Sequence, residues 1–264
     1  MNAIPYRRLA AAMLGATCAL AIGSAGLAQT PAKAPPKAAK AAAKRTQLPD
    51  WRGVWAHFGS LNLDPDTKGG ERQPNAPHNA EYAKKYDDYL AARAAGKPKG
   101  DIGCLPEGPP RIMRSPYPIE VIITPQETWI LAEFKHEIRR VYTDGRKPPA
   151  DLDPGYEGYS TGHWEGDTLV FDTVGLKAGT MDSGGLVHSD AMTLHERMRR
   201  TDKDTLEDLI TITDPKVFTK PWTVRRQFKL HTDWEIKEFT CEENERNPVG
   251  ANGATGVVLD KSPK

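Results

Sequence analysis

The chain contains few cysteines and none of the glycine-rich strings that bind nucleotides. Three of its 264 residues are cysteine, and neither GxGxxG nor GxxxxGKS/T occurs. A nucleotide cofactor therefore has no support. The seven histidines show no HxH, HxxxH or HExxH spacing, so a metal site would have to be assembled wholly by the fold. We predict a protein without a cofactor or a bound metal.

Acidic residues are absent from the first 45 positions, which divides the chain by charge. All 35 Asp and Glu follow that point, with 29 of the 36 Lys and Arg, so this larger part carries a formal charge of −6 (29 − 35). Such a charge gives no support to a basic patch for nucleic acid. We expect a small molecule as the partner and no nucleic acid.

The start of the chain has the layout of a cleaved secretory signal. Arg7 and Arg8 precede an apolar run from Leu9 to Leu27, and a small residue, Ala28, follows it. A membrane anchor is the alternative, but polar residues and glycines interrupt the run and no stop-transfer charges follow directly. We expect residues 1–28 to be removed, leaving a periplasmic or secreted protein without an integral membrane segment.

Beyond the signal, composition divides the chain into three further parts. Residues 29–46 are almost entirely Ala, Pro and Lys and lack larger apolar side chains, which predicts a disordered tether. Residues 47–250 are expected to form one β-barrel domain, and residues 251–264 a flexible tail.

The cysteines predict one disulfide. Cys18 leaves with the signal, so Cys104 and Cys241 remain as an even pair in an oxidising compartment, where thiols tend to pair. A catalytic thiol is the alternative reading of either residue. We expect a Cys104–Cys241 bridge.

Alternating polar and apolar residues predict a mainly β fold. The turns at 124–127, 165–167 and 202–204 are flanked by β-branched or aromatic residues, as in hairpins. No connection is long and helical enough for a parallel crossover, so we expect an antiparallel meander that closes into a lipocalin-like barrel. The predicted strands are 51–57, 117–124, 127–134, 136–143, 160–165, 168–175, 192–201, 204–213, 222–230 and 234–241.

The N-terminal part of this domain has a different pattern. Residues 79–95 carry tyrosines at helical spacing and predict one helix with Asn79 as its cap. The proline-rich segment 104–118 cannot supply ladder donors and is expected to be one of several long Pro/Gly-rich loops.

Charged residues fall on the apolar faces of several predicted strands. Alternation points Glu196, Asp208 and Arg226 inward on three neighbouring strands, and buried charges have to pair. The segment 130–142, read as one continuous face, also points His136, Arg140 and Tyr142 inward. Such a cluster is either a sealed network that fixes the strand register or a site that opens to a pocket.

Histidine offers a second candidate chemistry. His188 and Asp190 lie in a glycine-rich loop, where site residues are often placed on a rigid scaffold. The string HSD is a poor Ser-His-Asp triad, because adjacent side chains rarely point at one another and no nucleophile elbow is present. Surface or loop packing is the alternative for any one of these histidines.

Several strings of the chain resemble those of a large family of exported bacterial proteins of unassigned function. The resemblance covers about residues 104–244 and implies no particular reaction. The strings are CLPEGPPR at 104–111, FKHEIRRVY at 134–142, DGR at 144–146, DPGYEGYS at 153–160, GHWEGDTLV at 162–170, HSD at 188–190, ER at 196–197, KPW at 220–222 and CEEN at 241–244.

Two functions fit these observations. The first is an exported small-molecule enzyme, a lyase, isomerase or hydrolase, that uses acid–base chemistry without a nucleotide cofactor. The second is a non-catalytic barrel that binds an apolar ligand between tryptophan walls. An interaction or envelope-structure protein is a third possibility. The predicted catalytic residues are His136, His188, Asp190, Glu196 and Tyr142. The predicted substrate-binding residues are Arg140, Arg226, Asp208, Tyr156, Trp129, Trp164 and Trp222.

Overall fold

A computed structural model describes residues 48–64, 73, 75–96, 103–182 and 184–241. The predicted signal, tether and C-terminal tail lie outside these described residues. No helix within the described ranges is long and apolar enough to span a bilayer.

The described part of the chain is mainly β, as the alternation predicts. Its strands are short and joined by turns at the positions that the sequence indicates. Their bounds are β1 Val54–His57, β2 Ile119–Ile123, β3 Glu127–Ala132, β4 Ile138–Tyr142, β5 Tyr159–Glu165, β6 Thr168–Val174, β7 Gly179–Thr180, β8 Val187–His188, β9 Thr193–Asp202, β10 Thr205–Thr213 and β11 Trp222–His231.

Nine of these strands form a closed barrel in the order β1-β11-β10-β9-β6-β5-β4-β3-β2, and β2 pairs again with β1. The predicted closure of a meander into a barrel is therefore confirmed. Closure satisfies the hydrogen bonds of the edge strands. The remaining strands, β7 and β8, form a separate two-stranded ribbon.

One strand pair departs from the antiparallel rule. Strands β4 and β5 are parallel, with Val141 opposite Ser160 and Tyr142 opposite Thr161. A parallel pair needs a long connection, and residues 143–158 supply it without a helix. This connection carries part of the candidate site described below.

The predicted helix and its cap are both confirmed. Helix α1 spans Ala80–Ala94, and the side chain of Asn79 accepts a hydrogen bond from the backbone N–H of Tyr82 at 3.0 Å. Tyr86 is the buried residue of this helix. The amide of Asn79 also donates to the carbonyl of Lys216 at 2.8 Å, which ties the start of the helix to the segment between β10 and β11.

The inward orientation predicted for Arg140 and Tyr142 is wrong. Lys135 and His136 adopt left-handed backbone conformations, with φ of 56° and 52°, and Phe134–His136 forms a 3-10 turn instead of strand. The alternation restarts after this turn in the opposite phase. Arg139 is therefore buried inside the barrel, whereas Arg140 is exposed.

The predicted strand at 234–241 is also absent. This segment packs beside residues 133–136 through two side-chain acceptors instead of a strand ladder. The backbone N–H of Lys237 donates to Glu133 Oε2 at 2.8 Å, and that of Phe239 donates to His136 Nε2 at 2.8 Å.

The predicted disulfide is confirmed. Cys104 and Cys241 are bonded, with a Cα–Cα distance of 5.6 Å across a sequence separation of 137 residues. The chain-entropy model assigns a loop of this length about 4–5 kcal/mol as an upper figure. The bridge joins the start of the proline-rich loop to the segment that follows the barrel.

Candidate functional site

The inward charges of the barrel form a sealed cluster around Arg139. Its guanidinium donates to both oxygens of Glu196, at 3.1 and 2.6 Å. The side chains of Arg139 and Glu196 are 2% and 0% exposed. This two-pronged arrangement is the strongest geometry for an Arg–carboxylate pair, and it satisfies the charge that alternation places inside.

Asp208 completes this cluster as a neutral acid. Burial, and then repulsion by Glu196, raise the pKa of Asp208 well above its ordinary value. Among the described residues, neither carboxyl oxygen of Asp208 has a hydrogen-bond partner, and the charged groups that act on it are Glu196, Arg139 and Arg226. One arginine neutralises one carboxylate. The net charge of two adjacent carboxyl groups beside one arginine is therefore zero only if one of them keeps its proton.

Arg226 is buried as predicted and lies directly opposite Asp208 in the β10–β11 pair, but it forms no ion pair with a carboxylate among the described residues. Its guanidinium donates to the backbone carbonyls of Ser60 at 3.4 Å and Asn62 at 2.9 Å. Burial and repulsion from Arg114 lower the pKa of Arg226 to about 10. The predicted proximity of Asp208 and Arg226 is present, and attraction between their charges acts on the pKa of both groups. The hydrogen bonds of Arg226 go instead to the loop at 60–62, whose entry into this end of the barrel the sequence could not show.

His188 lies at the wall of a pocket outside the barrel. It pairs with Gly179 in the β7–β8 ribbon, and its Nδ1 lies 3.1 Å from the carbonyl of Ser189. Because a carbonyl can only accept, Nδ1 carries the proton and Nε2 keeps its lone pair. Burial lowers the pKa of His188, so the neutral form with a basic Nε2 is favoured.

Glycine at position 179 makes this arrangement possible. A Cβ at that position would stand 3.3 Å from His188 Nε2. The absence of a side chain therefore lets the backbone of β7 pack closely against the His188 ring, which is 7% exposed at the pocket wall.

Asp190 does not orient His188. It is exposed and pairs with Lys216 at 2.6 Å. Ser189 points elsewhere as well: its N–H and hydroxyl both donate to Asp214, each at 2.7 Å. The three residues of the HSD string thus serve three separate contacts, and the structure does not bring them together as a triad.

The pocket beside His188 is built from four segments between the barrel strands and is called the loop pocket here. Its volume is about 190 Å³, and the charged and aromatic residues that line it are Glu107, Arg111, Lys135, Tyr156, Lys177 and His188. The proline-rich loop, the 3-10 turn, the long β4–β5 connection and the β7–β8 ribbon each contribute. Of the predicted site residues, the structure places Tyr156 and His188 in this pocket.

The charges of the loop pocket are unbalanced in favour of cations. Glu107 Oε1 lies 3.0 Å from the guanidinium of Arg111 and 3.7 Å from the ammonium of Lys135. Burial raises the pKa of Glu107. Arg111 also contacts the hydroxyl of Thr180. With Lys177, the lining holds three cations and one carboxyl group, an arrangement that attracts an anion.

Lys177 is the cation of the pocket that has no acidic partner among the described residues. Its ammonium lies 5.0 Å from the centre of the Tyr156 ring, within the distance of a cation–π contact. The side chain is exposed. An incoming anion can therefore reach Lys177 without displacing a carboxylate.

A second pair of carboxyl groups supports the floor of this region. Glu137 accepts the backbone N–H of Glu107 at 2.6 Å and that of Gly108 at 2.9 Å. Burial, followed by a hydrogen bond with Glu137, raises the pKa of Glu157 to about 8. A protonated Glu157 can donate to Glu137, so the pair fixes the proline-rich loop while it carries one negative charge.

His136 is placed beside the loop pocket but is not available as a base at Nε2. That nitrogen accepts the N–H of Phe239. His136 therefore fastens the segment before Cys241 to the 3-10 turn. Its predicted catalytic role has no support in this geometry.

The other predicted site residues lie away from the loop pocket. Arg140 and Trp129 stack on the outer surface of the barrel, 4.6 Å apart. Tyr142, also outside, packs on Tyr159 at 5.0 Å between ring centres. The predicted aromatic wall is thus divided between different surfaces. The two remaining tryptophans pack in the core, with Trp164 against Trp51 and Trp222 against Phe218.

Sequence reasoning missed Glu107, Arg111, Lys135 and Lys177 as pocket residues. All four lie in loops or turns, where no periodicity indicates which way a side chain points. The one available signal was that two of them, Glu107 and Arg111, fall in the proline-rich segment, which has no strand pattern. Among the described residues, no three His, Cys, Asp or Glu side chains cluster so as to hold a metal ion.

Comparison with protein-family models and with curated proteins finds no match to this chain. The geometry of the loop pocket is therefore the basis for the functional conclusion.

Proposed function

We propose that this is an exported protein that binds a small anionic molecule in the loop pocket and acts on it by acid–base chemistry, with His188 as the base. The observation that carries the proposal is a neutral His188 whose Nδ1 faces a backbone carbonyl and whose ring lines a pocket with surplus positive charge. A base that is neutral near its operating pH is suited to proton abstraction. No nucleotide cofactor is needed for such chemistry.

The cations of the loop pocket would stabilise the negative charge that forms when His188 removes a proton. Arg111 is held by Glu107 and Thr180, so its position is fixed before a ligand arrives. Lys177 adds a charge that is free to move onto the ligand. Groups arranged in this way can stabilise negative charge that develops during proton transfer.

A non-catalytic binding protein is the second candidate. The unpaired ammonium of Lys177 favours it, because binding an anion requires that charge and makes no use of a base. The two candidates share the pocket and differ in the role of His188.

The two candidates can be separated with small probes. The protein is incubated in D₂O with a panel of small carboxylates and phosphate monoesters, and proton NMR follows both binding and exchange or turnover of carbon-bound hydrogen. We expect His188→Asn to lower the rate about 100-fold or more while binding persists, and Lys177→Met to weaken binding. His163→Asn, an exposed histidine on β5, is the matched control and should change neither.

Each other result has a definite meaning. Turnover that survives His188→Asn removes His188 as the base. Saturable binding with no turnover of any probe replaces the enzyme with the binding protein. Failure of every anion to bind contradicts both candidates.

A further inference from the structure

An apolar groove continues from the loop pocket toward β4. Its volume is about 390 Å³, and its lining includes Pro106, Lys135, Ile138 and Tyr156. Pro106, Lys135 and Tyr156 line the loop pocket as well. The two cavities therefore adjoin along these three residues. We use the name apolar groove for the part lined by Pro106, Ile138 and Tyr156.

Ile138 is exposed because of the backbone of the residues before it. The left-handed conformations of Lys135 and His136 reverse the phase of β4 and turn Ile138 outward. Its side chain is 48% exposed, and Leu105 at the rim of the loop pocket is also exposed. Exposed apolar side chains grouped beside a polar pocket are typical of a ligand site.

The polar groups around the groove are already engaged or neutral. Burial raises the pKa of Glu157 to about 8, so this group is mostly protonated at neutral pH. Glu137 accepts two backbone N–H groups. His136 accepts from Phe239. Lys177 lies over the ring of Tyr156, where the groove meets the loop pocket. Its ammonium has no acidic partner among the described residues, so it can pair with a ligand.

We infer that the ligand of the loop pocket is an amphipathic anion, in which a carboxylate joined to an alkyl or aryl chain places its charge against Lys177 and its chain along Ile138 and Tyr156. This inference rests on the proposed function and specifies its substrate class. Charge complementarity selects the head group, and the apolar groove selects the chain. Together the cavities fall in the size range of small-molecule sites.

The contributions of the ligand's carboxylate group and of its alkyl chain can be tested separately. Binding of octanoate, acetate and 1-octanol is measured by calorimetry or by NMR shifts of the intact mature protein. Octanoate should bind at least about tenfold more tightly than acetate, because burying several methylene groups is favourable. Ile138→Ser should lower the affinity for octanoate about tenfold and leave acetate unchanged.

Two further variants complete the design. Lys177→Met should weaken octanoate and acetate and leave 1-octanol unchanged. Ile122→Ser on β2 is the matched control, since Ile122 is 42% exposed on a strand that does not line the groove. It should leave all three affinities unchanged.

The outcomes distinguish this inference from the proposed function. Equal affinity for octanoate and acetate overturns the amphipathic ligand while the anion pocket stands. An affinity for octanoate that Ile138→Ser does not change overturns it as well. If neither acid binds, the amphipathic ligand is overturned, and the proposed function is overturned as well only when the phosphate monoesters of the panel also fail to bind. Co-sedimentation with phosphatidylglycerol vesicles that depends on Ile138, without binding of monomeric octanoate, would replace the small ligand with a membrane surface.

Discussion

The barrel interior and the loop pocket use the same kinds of charged groups in opposite ways. Inside the barrel, Arg139 and Glu196 match one to one at 2% and 0% exposure, and Asp208 keeps its proton. In the loop pocket, Arg111 and Glu107 pair at 11% exposure each, and cations remain in surplus. An unbalanced charge is too costly in the interior, whereas water tolerates it at a pocket wall. The surplus positive charge near solvent is therefore available to bind an anionic ligand.

Removing the interior cation should have the largest effect. Arg139→Met leaves the Glu196 carboxylate without the guanidinium that pairs with it, so we expect a loss of about 3–5 kcal/mol in the free energy of unfolding, or uptake of a second proton by the carboxyl pair. Urea unfolding at pH 7 measures it.

Arg140→Met is the matched control for this prediction. Arg140 is the next residue on the same strand, exposed, with Glu127 at 3.5 Å, and its loss should cost less than about 1 kcal/mol. If the two variants are equally stable, the comparison between sealed and open charges does not hold.

A smaller loss is expected from Arg226→Met. Arg226 donates to the carbonyls of Ser60 and Asn62 and has no ion pair with a carboxylate. Its removal leaves two acceptors without their donor, which should lower the free energy of unfolding by about 2 kcal/mol. Thermal or urea unfolding beside exposed Arg225→Met tests this. A cost as large as that of Arg139→Met would mean that the attraction between Arg226 and Asp208, which face each other across β10 and β11, stabilises the fold as much as the Arg139–Glu196 pair.

The smallest of the three effects depends on pH and concerns the support of the loop pocket. The pKa of Glu157 is near 4.5 in the unfolded chain, and burial raises it to about 8 in the folded protein. The contribution of Glu157 to stability therefore decreases as pH rises through that window. Glu157→Gln keeps a donor toward Glu137 without a proton to lose, so its stability relative to wild type should rise by on the order of 1 kcal/mol between pH 5 and pH 6.

Unfolding curves of both proteins across this pH range give the difference directly. Glu235→Gln, an exposed acid in the segment after β11, should show no such rise. A difference between Glu157→Gln and wild type that stays constant with pH would mean that Glu157 is already ionised in the folded protein.

The sequence predicted the regular elements well because they follow local rules. Helix α1, the cap at Asn79, the hairpin turns and the inward position of Glu196 all come from periodicities that the core enforces. The inward orientation of Arg139 could not be predicted in this way. The alternation of inward and outward side chains reverses at Lys135, and this reversal leaves no mark in the pattern of polar and apolar residues. The prediction of a strand at 234–241 was wrong for a related reason. The alternation of residue types there also fits an irregular segment whose backbone N–H groups donate to Glu133 and His136.

By itself, the sequence determined that the described chain is a barrel, which strands alternate and which two cysteines pair. These outcomes depend on the side-chain period of a strand and on the count of thiols. Only the tertiary structure decided which charges meet and where a pocket opens. Lys177, Tyr156 and His188 come together through loops that have no period, and the partners of a buried charge are chosen by three-dimensional distance.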